Sequence, residues 1–569
     1  MSRLTVRICP LASAGEPPAR ALARKGAPCS WLSSTLTVSS VSSEWRLACV
    51  RCSSNEITPM ATTPNTRASH GTAFVRISGR DLKRGLGLSL GYRPPRPGLE
   101  VRASAAVPPA SRSDHLADLV PRATALIAAW EARFGPYEPA AAGAPAPDRL
   151  AAAWEAFGER MADHYPFFHP RYAGQMLKPP HPVAVAGYLA AMLVNPNNHA
   201  LDGGPGASGL EVEVVDQLRV MFGLPSPGLG HLTSSGTIAN LEALWIAREV
   251  HPGKRIVHCA AAHYTHARMC ELLGVTATAV APDAQGRIDL DAVEAECAHG
   301  DVGTVVLTTG STGLGAIDRV DEALALRERY GVRLHADGAY GGFFTLLARG
   351  DDPLVAPAPY AAIAQCDSVV VDPHKHGLQP YGCGAVLFAD PAVQRVYRHD
   401  SPFTYFTEAD LHLGEISLEC SRAGAAAAAL WLTLQALPLE RDEGLGAVLA
   451  AGRRAALDWA ARLRSSEVLD LHVEPELDIV TYLPRVGSLS ALDAASGAVL
   501  KAGMEDADDP VFLSTLYLGR EALAARHPGL EADADGARVL RSVLMKPEHE
   551  QAVPWLHERV EDLARAART

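Results

Sequence analysis

Lysine is scarce in this chain of 569 residues: from Asp114 onward there are five, Lys178, Lys254, Lys375, Lys501 and Lys546. Any chemistry that needs an amine therefore has few places to sit. Long apolar runs are missing too, since the alanine-rich stretch from Ala423 to Leu437 carries Thr433 and Gln435 and reads as a packed helix, so no membrane association is expected. Cysteine is thinly spread. Six of the ten (Cys259, Cys270, Cys297, Cys366, Cys383, Cys420) lie singly in the body, which suits reduced thiols and a cytoplasmic protein rather than a disulfide framework. Basic charge is concentrated at one end: residues 1–113 hold 16 Lys and Arg against 5 Asp and Glu, a balance of +11 that leaves −23 on the remainder of a chain of net charge −12. Such an acidic body repels nucleic acid, and no nucleic-acid partner is expected. A hydrophobic content of 48% with mean hydropathy near zero describes a globular protein, at a length beyond one ordinary core.

Residues 1–113 are rich in Arg, Ser, Pro and Ala and lack a sustained hydrophobic period, so a disordered extension, or upstream sequence from a mis-assigned start near Met60, is expected. The pair in Cys49-Val-Arg-Cys52 has no matching second pair, and no metal site is expected. Helical spacing runs over His115 to Arg133, Arg149 to His164 and Val183 to Val194, the first two joined by a Pro/Ala-rich linker. From Leu210 to Gly384, short apolar runs at Arg255–His258, Val302–Leu307, Val332–His335, Ser368–Val371 and Ala385–Phe388 alternate with amphipathic helices, the pattern of a mostly parallel α/β sheet. The expected division is a helical segment over 114–205, a large α/β domain over 206–437, and a small α+β domain over 438–569 that closes with a helix from Ala552 to Ala566.

Among the five lysines only Lys375 ends a strand that reads as buried, in Ser368-Val-Val-Val-Asp-Pro-His-Lys. Lys178 and Lys546 each precede proline, Lys254 follows Pro-Gly, and Lys501 lies in a polar stretch. A partly desolvated amine at such a strand end suits Schiff-base chemistry. Upstream, Val332-Arg-Leu-His-Ala-Asp-Gly-Ala-Tyr delivers Asp337 into a glycine-flanked loop, where a carboxylate could keep a pyridine nitrogen protonated. Earlier still, Ser234, Ser235, Gly236 and Thr237 stand between His231-Leu-Thr and an apolar helix, offering N–H groups and hydroxyls to an anion, or simply capping the helix.

These segments, with His263-Tyr-Thr-His-Ala-Arg268 and Thr308-Thr-Gly-Ser-Thr-Gly between them, occur in an order that resembles the group II pyridoxal-phosphate-dependent amino-acid decarboxylases, from about Tyr165 to the C-terminus. Asn195-Pro-Asn-Asn-His-Ala-Leu-Asp-Gly-Gly-Pro205 and Leu210-Glu-Val-Glu213 are most similar to the bacterial tyrosine decarboxylase branch. The resemblance implies the fold type I architecture of pyridoxal-phosphate transferases, a seven-stranded mostly parallel sheet, pyridoxal 5'-phosphate as cofactor, and a homodimer with the active site at the subunit interface. It assigns His263 to one face of the cofactor ring and Ala339 to the other, Asp337 to the ring nitrogen, Lys375 to the Schiff base, His374 to the phosphate and Thr308 to the phenolic side. It also places a proton-donating tyrosine about thirty residues beyond the lysine, which here is Tyr405. Arg422, in a Ser-Arg pair, would position cofactor or substrate, or form a structural salt bridge. His258 and His266 have no counterpart role and are expected to be structural or solvent-facing. Ser235 stands where the family often has glycine, which requires its φ to stay negative.

The implied reaction is decarboxylation of an L-amino acid to the amine and CO2, with an aromatic, tyrosine-like substrate favoured. An acidic substrate, aldehyde synthesis or a sphingosine-phosphate-type lyase reaction stay open. Phe167, Phe168, His169, Tyr172, Gln175 and His199 are candidates for the substrate pocket.

Overall fold

The structure is a computed structural model, and it describes residues 3–8, 32–37, 50–53, 56–59, 112–398 and 416–568. The chain divides into two compact units, Met1–Val107 and Pro108–Thr569. Within the first, where the sequence suggests a disordered extension, Arg3–Ile8 pairs antiparallel with Leu32–Thr37 and Val50–Ser53 pairs antiparallel with Glu56–Pro59.

The second unit is built on a seven-stranded sheet. Its strands are β1 (Leu229–Thr233), β2 (Arg255–Cys259), β3 (Ala277–Val280), β4 (Val302–Thr308), β5 (Arg333–Gly338), β6 (Ser368–Val371) and β7 (Gly384–Phe388). They lie side by side in the order β1-β7-β6-β5-β4-β2-β3. β7 runs antiparallel to β6 and β1, and every other neighbouring pair is parallel. Parallel strands are covered by helices on both faces, so they read as unbroken apolar runs, and β4 and β6 are buried along their whole length. β1 and β3 carry no such run: Gly230, His231 and Thr233 interrupt one, and Ala277 and Thr278 weaken the other.

Helices flank the sheet as the spacing suggests. Arg112–Glu131 (α1) and Pro147–Ala162 (α2) precede Pro182–Val194 (α3), and Pro205–Phe222 (α4) leads into β1. Gly236–Val250 (α5) follows β1, and Thr265–Leu273 (α6) follows β2. α3 ends at Asn195, whose φ of 55° is the left-handed conformation that asparagine tolerates at a helix C-terminus.

A second, antiparallel sheet holds β8 (Leu469–Val473), β9 (Ile479–Pro484), β10 (Ser514–Gly519) and β11 (Gly536–Val543) in the order β8-β9-β11-β10. The long helices Gly444–Ser465 and His549–Ala566 lie over it around fully buried Trp459, Tyr482 and Leu556. Among the described residues, no helix is long and apolar enough to cross a membrane.

Candidate active site

Sheet register brings the chemistry to one edge. Thr308 on β4 pairs with Asp337 on β5, and Asp337 pairs with Val370 on β6, so three strands end level with one another. The loops beyond the carboxyl ends of an open α/β sheet are where ligands bind. Here they enclose a cavity of about 230 Å³ lined by Ser235, Gly236, Thr237, His263, Thr308, Asp337, Ala339, His374 and Lys375. The structure thus gathers nine residues named from separate sequence segments.

Lys375 lies one turn past β6, with its backbone N–H on Asp372 O and its Nζ 3.1 Å from Asp372 Oδ2. His374 donates through Nδ1 to Cys383 O at 2.7 Å and faces the same Asp372 oxygen across 3.4 Å. Burial lowers the His374 pKa, with the Lys375 charge adding to that and Asp372 opposing it. Asp372 Oδ1 is buried without a hydrogen-bond partner.

α5 presents its N-terminus to the cavity. Ser235 is its N-cap, with an extended backbone (φ −171°) and an Oγ that accepts from Ile238 N at 3.3 Å. Extended geometry suits serine as well as glycine, so this departure from the family pattern strains nothing. Ser234 is placed differently from the cradle expected of it. Its N–H donates to Glu419 at 2.9 Å, and it does not line the cavity.

His263, in the turn before α6, is half-buried; Thr265 fixes it, with its Oγ1 2.8 Å from His263 Nδ1. Burial lowers the His263 pKa, opposed by Asp337 and reinforced by Lys375. Asp337 is buried, and its Oδ1 accepts from Ala339 N at 3.1 Å. Its other oxygen accepts from His266 Nε2 at 2.8 Å. Burial alone would raise this carboxyl, but the His266 hydrogen bond and charge, with help from the Ala339 N–H, hold it well below the usual carboxylate range. A carboxylate kept ionised in the interior is the partner a protonated pyridine nitrogen needs.

His266 is the residue that sequence reasoning missed. Expected to be structural or solvent-facing, it is fully buried against the central carboxylate. Its spacing of three from His263 sets it one turn further on, at the start of α6, but nothing local announces a partner 71 positions away. Arg422 resolves in favour of the salt bridge: it is paired with Glu211 and also donates to Leu232 O at 2.9 Å and Asn198 O at 3.0 Å. Tyr405 lies outside the described residues. Of the substrate-pocket candidates, Gln175 lines a larger cavity of about 850 Å³ that shares His263, Tyr264 and Thr312 with the first. Tyr172 is instead buried beneath Lys546, and Phe168 is exposed.

The chain matches the pyridoxal-dependent decarboxylase conserved domain over residues 168–483, and it belongs to that family. It is 27% identical over 430 residues to an L-tyrosine decarboxylase of Enterococcus faecium, covering 57% of this chain and 70% of that one. It is also 27% identical over 316 residues to a probable L-aspartate decarboxylase of Pyrococcus abyssi, covering 54% and 78%. In fold it is similar to Oryza sativa TDC, solved with PLP and tryptamine, at TM-score 0.63 and 16% identity over 80% of this chain and 99% of that one. The protein is therefore a pyridoxal-phosphate-dependent amino-acid decarboxylase with the α/β fold expected from its strand pattern.

The cavity fits that cofactor. Thr308 Oγ1 is buried in its wall without a hydrogen-bond partner, two cationic or protonatable groups flank a helix N-terminus, and an ionised carboxylate closes the far side. When bound, the cofactor supplies an electron sink for the bond that breaks at the substrate Cα.

Proposed function

We propose that the substrate is an L-amino acid with an aromatic side chain, tyrosine first. The observation that carries this is the lining of the larger cavity beside the cofactor site. Leu314, Leu516, Leu518, Tyr264 and Tyr517 supply an apolar wall of the kind an aromatic ring fills. An acidic side chain would call for a free cation there. The two arginines in the lining bond to its own backbone: Arg541 donates to Thr312 O, Gly313 O and the Ser514 hydroxyl, and Arg526 donates to Ala284 O.

In this reading Lys375 would hold the cofactor covalently through its amine, and Asp337 would keep the ring nitrogen protonated. His263 would cover one ring face and Ala339 the other, while the α5 N-terminus with Ser235, Gly236, Thr237 and His374 would receive the phosphate. Thr308 would lie on the phenolic side. Tyr405 delivers the proton to Cα after CO2 leaves.

The same reading makes the protein a homodimer. α2 has no buried residue, yet Leu150, Trp154, Phe157 and Met161 form one apolar stripe along it, each at least half exposed. A second copy would bury that stripe.

A panel of amino acids assayed for CO2 and amine tests the substrate. Tyrosine and its aromatic relatives should turn over fastest. Release confined to aspartate or glutamate would overturn the aromatic assignment while leaving the decarboxylase intact, and keto acid or aldehyde in place of amine would contradict the reaction.

A further inference from the structure

We propose that His266 is a positioning residue for the decarboxylation, holding the Asp337 carboxylate ionised and aimed for the cofactor ring nitrogen. The inference rests on the reading of Asp337 as the partner of that nitrogen.

One helical turn supports two functions. His263 and His266 are three apart, and the backbone N–H of His266 bonds to His263 O, so the turn that sets His263 on the cavity wall carries His266 beneath it. The His266 side chain is fully buried, and its Nε2 donates to Asp337 Oδ2 at 2.8 Å. Its Nδ1 is buried without any hydrogen-bond partner. A buried imidazole normally finds partners for both nitrogens, because an unmatched polar atom in the interior is destabilising. Packing alone would be served by leucine. The hydrogen bond to Asp337 is the one polar contact that accounts for an imidazole here.

The neighbouring titratable groups are occupied elsewhere. His258, with its ring 6.2 Å from that of His266, bonds through Nδ1 to Cys259 O. His335, 6.4 Å away, donates through Nε2 to Asn240 Oδ1 and accepts through Nδ1 from the Ser368 hydroxyl. His263 is held by Thr265, and Lys375 is paired with Asp372. His266 is thus the side chain that bonds Asp337, and the second Asp337 oxygen is steadied by the Ala339 N–H. Removing the imidazole leaves the carboxylate with one donor, and such a group both turns more freely and takes up a proton more readily.

The test compares His266→Leu with His266→Gln, which keeps an N–H donor of similar reach, in the full-length protein. Three quantities are read: the dissociation constant for pyridoxal phosphate, the pH dependence of the bound cofactor's absorption, and kcat. His266→Leu should bind pyridoxal phosphate about 10-fold more weakly and lose about 10-fold in kcat, as expected for losing a hydrogen bond to a charged group. Its absorption should change with pH at a higher value than in the wild type, because Asp337 protonates sooner. His266→Gln should recover most of each loss. In an Asp337→Asn background, His266→Leu should add nothing further. If leucine does not fold, His266→Asn, too short to reach the carboxylate, takes its place with the same expectations. Wild-type affinity and spectrum in His266→Leu, no recovery with glutamine, or an undiminished effect in the Asp337→Asn background would each overturn the proposal. Near-wild-type behaviour of Asp337→Asn by itself would instead remove the reading of Asp337 on which the proposal depends.

Discussion

Gly236 and Asp372 meet so closely that a Cβ on the glycine would lie 2.5 Å from Asp372 Oδ2. Asp372 cannot simply step aside, because that oxygen also holds Lys375 Nζ at 3.1 Å. The first residue of α5 and the turn that carries the reactive amine are thereby locked together. Gly236→Ala should push the carboxylate away and displace Lys375 with it. We expect overpacking to cost about 1–3 kcal/mol of stability, with a larger proportional loss in cofactor affinity. Fluorescence titration with pyridoxal phosphate and thermal melting separate the two; unchanged affinity would show that the cradle tolerates a methyl group.

Lys375→Ala tests the covalent step. The side chain stands at a polar turn and is partly exposed, so its removal should leave stability within about 1 kcal/mol of wild type. Turnover should collapse, and borohydride should no longer fix cofactor to the protein. Substantial CO2 release by this variant would move the reactive amine elsewhere.

Asp337→Asn tests the electronic role. A neutral amide cannot stabilise a protonated ring nitrogen as a carboxylate does, so kcat should fall on the order of 100-fold, or about 3 kcal/mol in barrier. Steady-state kinetics at saturating cofactor give the answer directly.

Much of this site is legible in the sequence because each part is local. β6 falls where its Val-Val-Val run places it, and the motifs around Asp337, His263 and Lys375 need only short-range order to be found. What stays hidden are relations across long separations. The His266–Asp337 bond spans 71 positions and the Arg422–Glu211 pair 211. β1 and β3 escape for another reason: each takes its stability from neighbours in the sheet, while its own residues include glycine, histidine, threonine and alanine instead of a branched apolar run. Ser234 misleads because a hydroxyl-rich segment does not say which of its members faces the cavity; its N–H is taken by Glu419, 185 positions away.

Trp154→Glu tests the exposed stripe on α2. Trp154 is 71% exposed, so a charge there should leave the folded protomer intact. Placed in the middle of an apolar interface, the same charge is strongly unfavourable. Light scattering after size exclusion should show wild type at twice the protomer mass and the variant shifted towards a single protomer. A monomeric wild type would refute the dimer outright.

His335 makes stability depend on pH in a direction that can be checked. It is buried in the sheet between Asn240 and Ser368, and burial lowers its pKa from 6.5 to about 3, with Asp337 opposing the shift. Its folded-state pKa therefore lies below that of the unfolded chain, which takes up the proton first as pH falls. The contribution is fully present above about pH 6.5 and is lost progressively down to about pH 3. Each pH unit within that window is worth about 1.4 kcal/mol, so by pH 5 roughly 2 kcal/mol should be gone. His335→Gln keeps a donor for Asn240 and an acceptor for Ser368 but cannot titrate. Comparing unfolding free energies from urea titrations at pH 7.5 and pH 5 should show a smaller drop for the variant than for wild type, by that amount. Equal drops would mean that His335 already carries a proton in the folded protein at pH 5, contrary to its burial and to the hydrogen bonds that occupy both of its nitrogens.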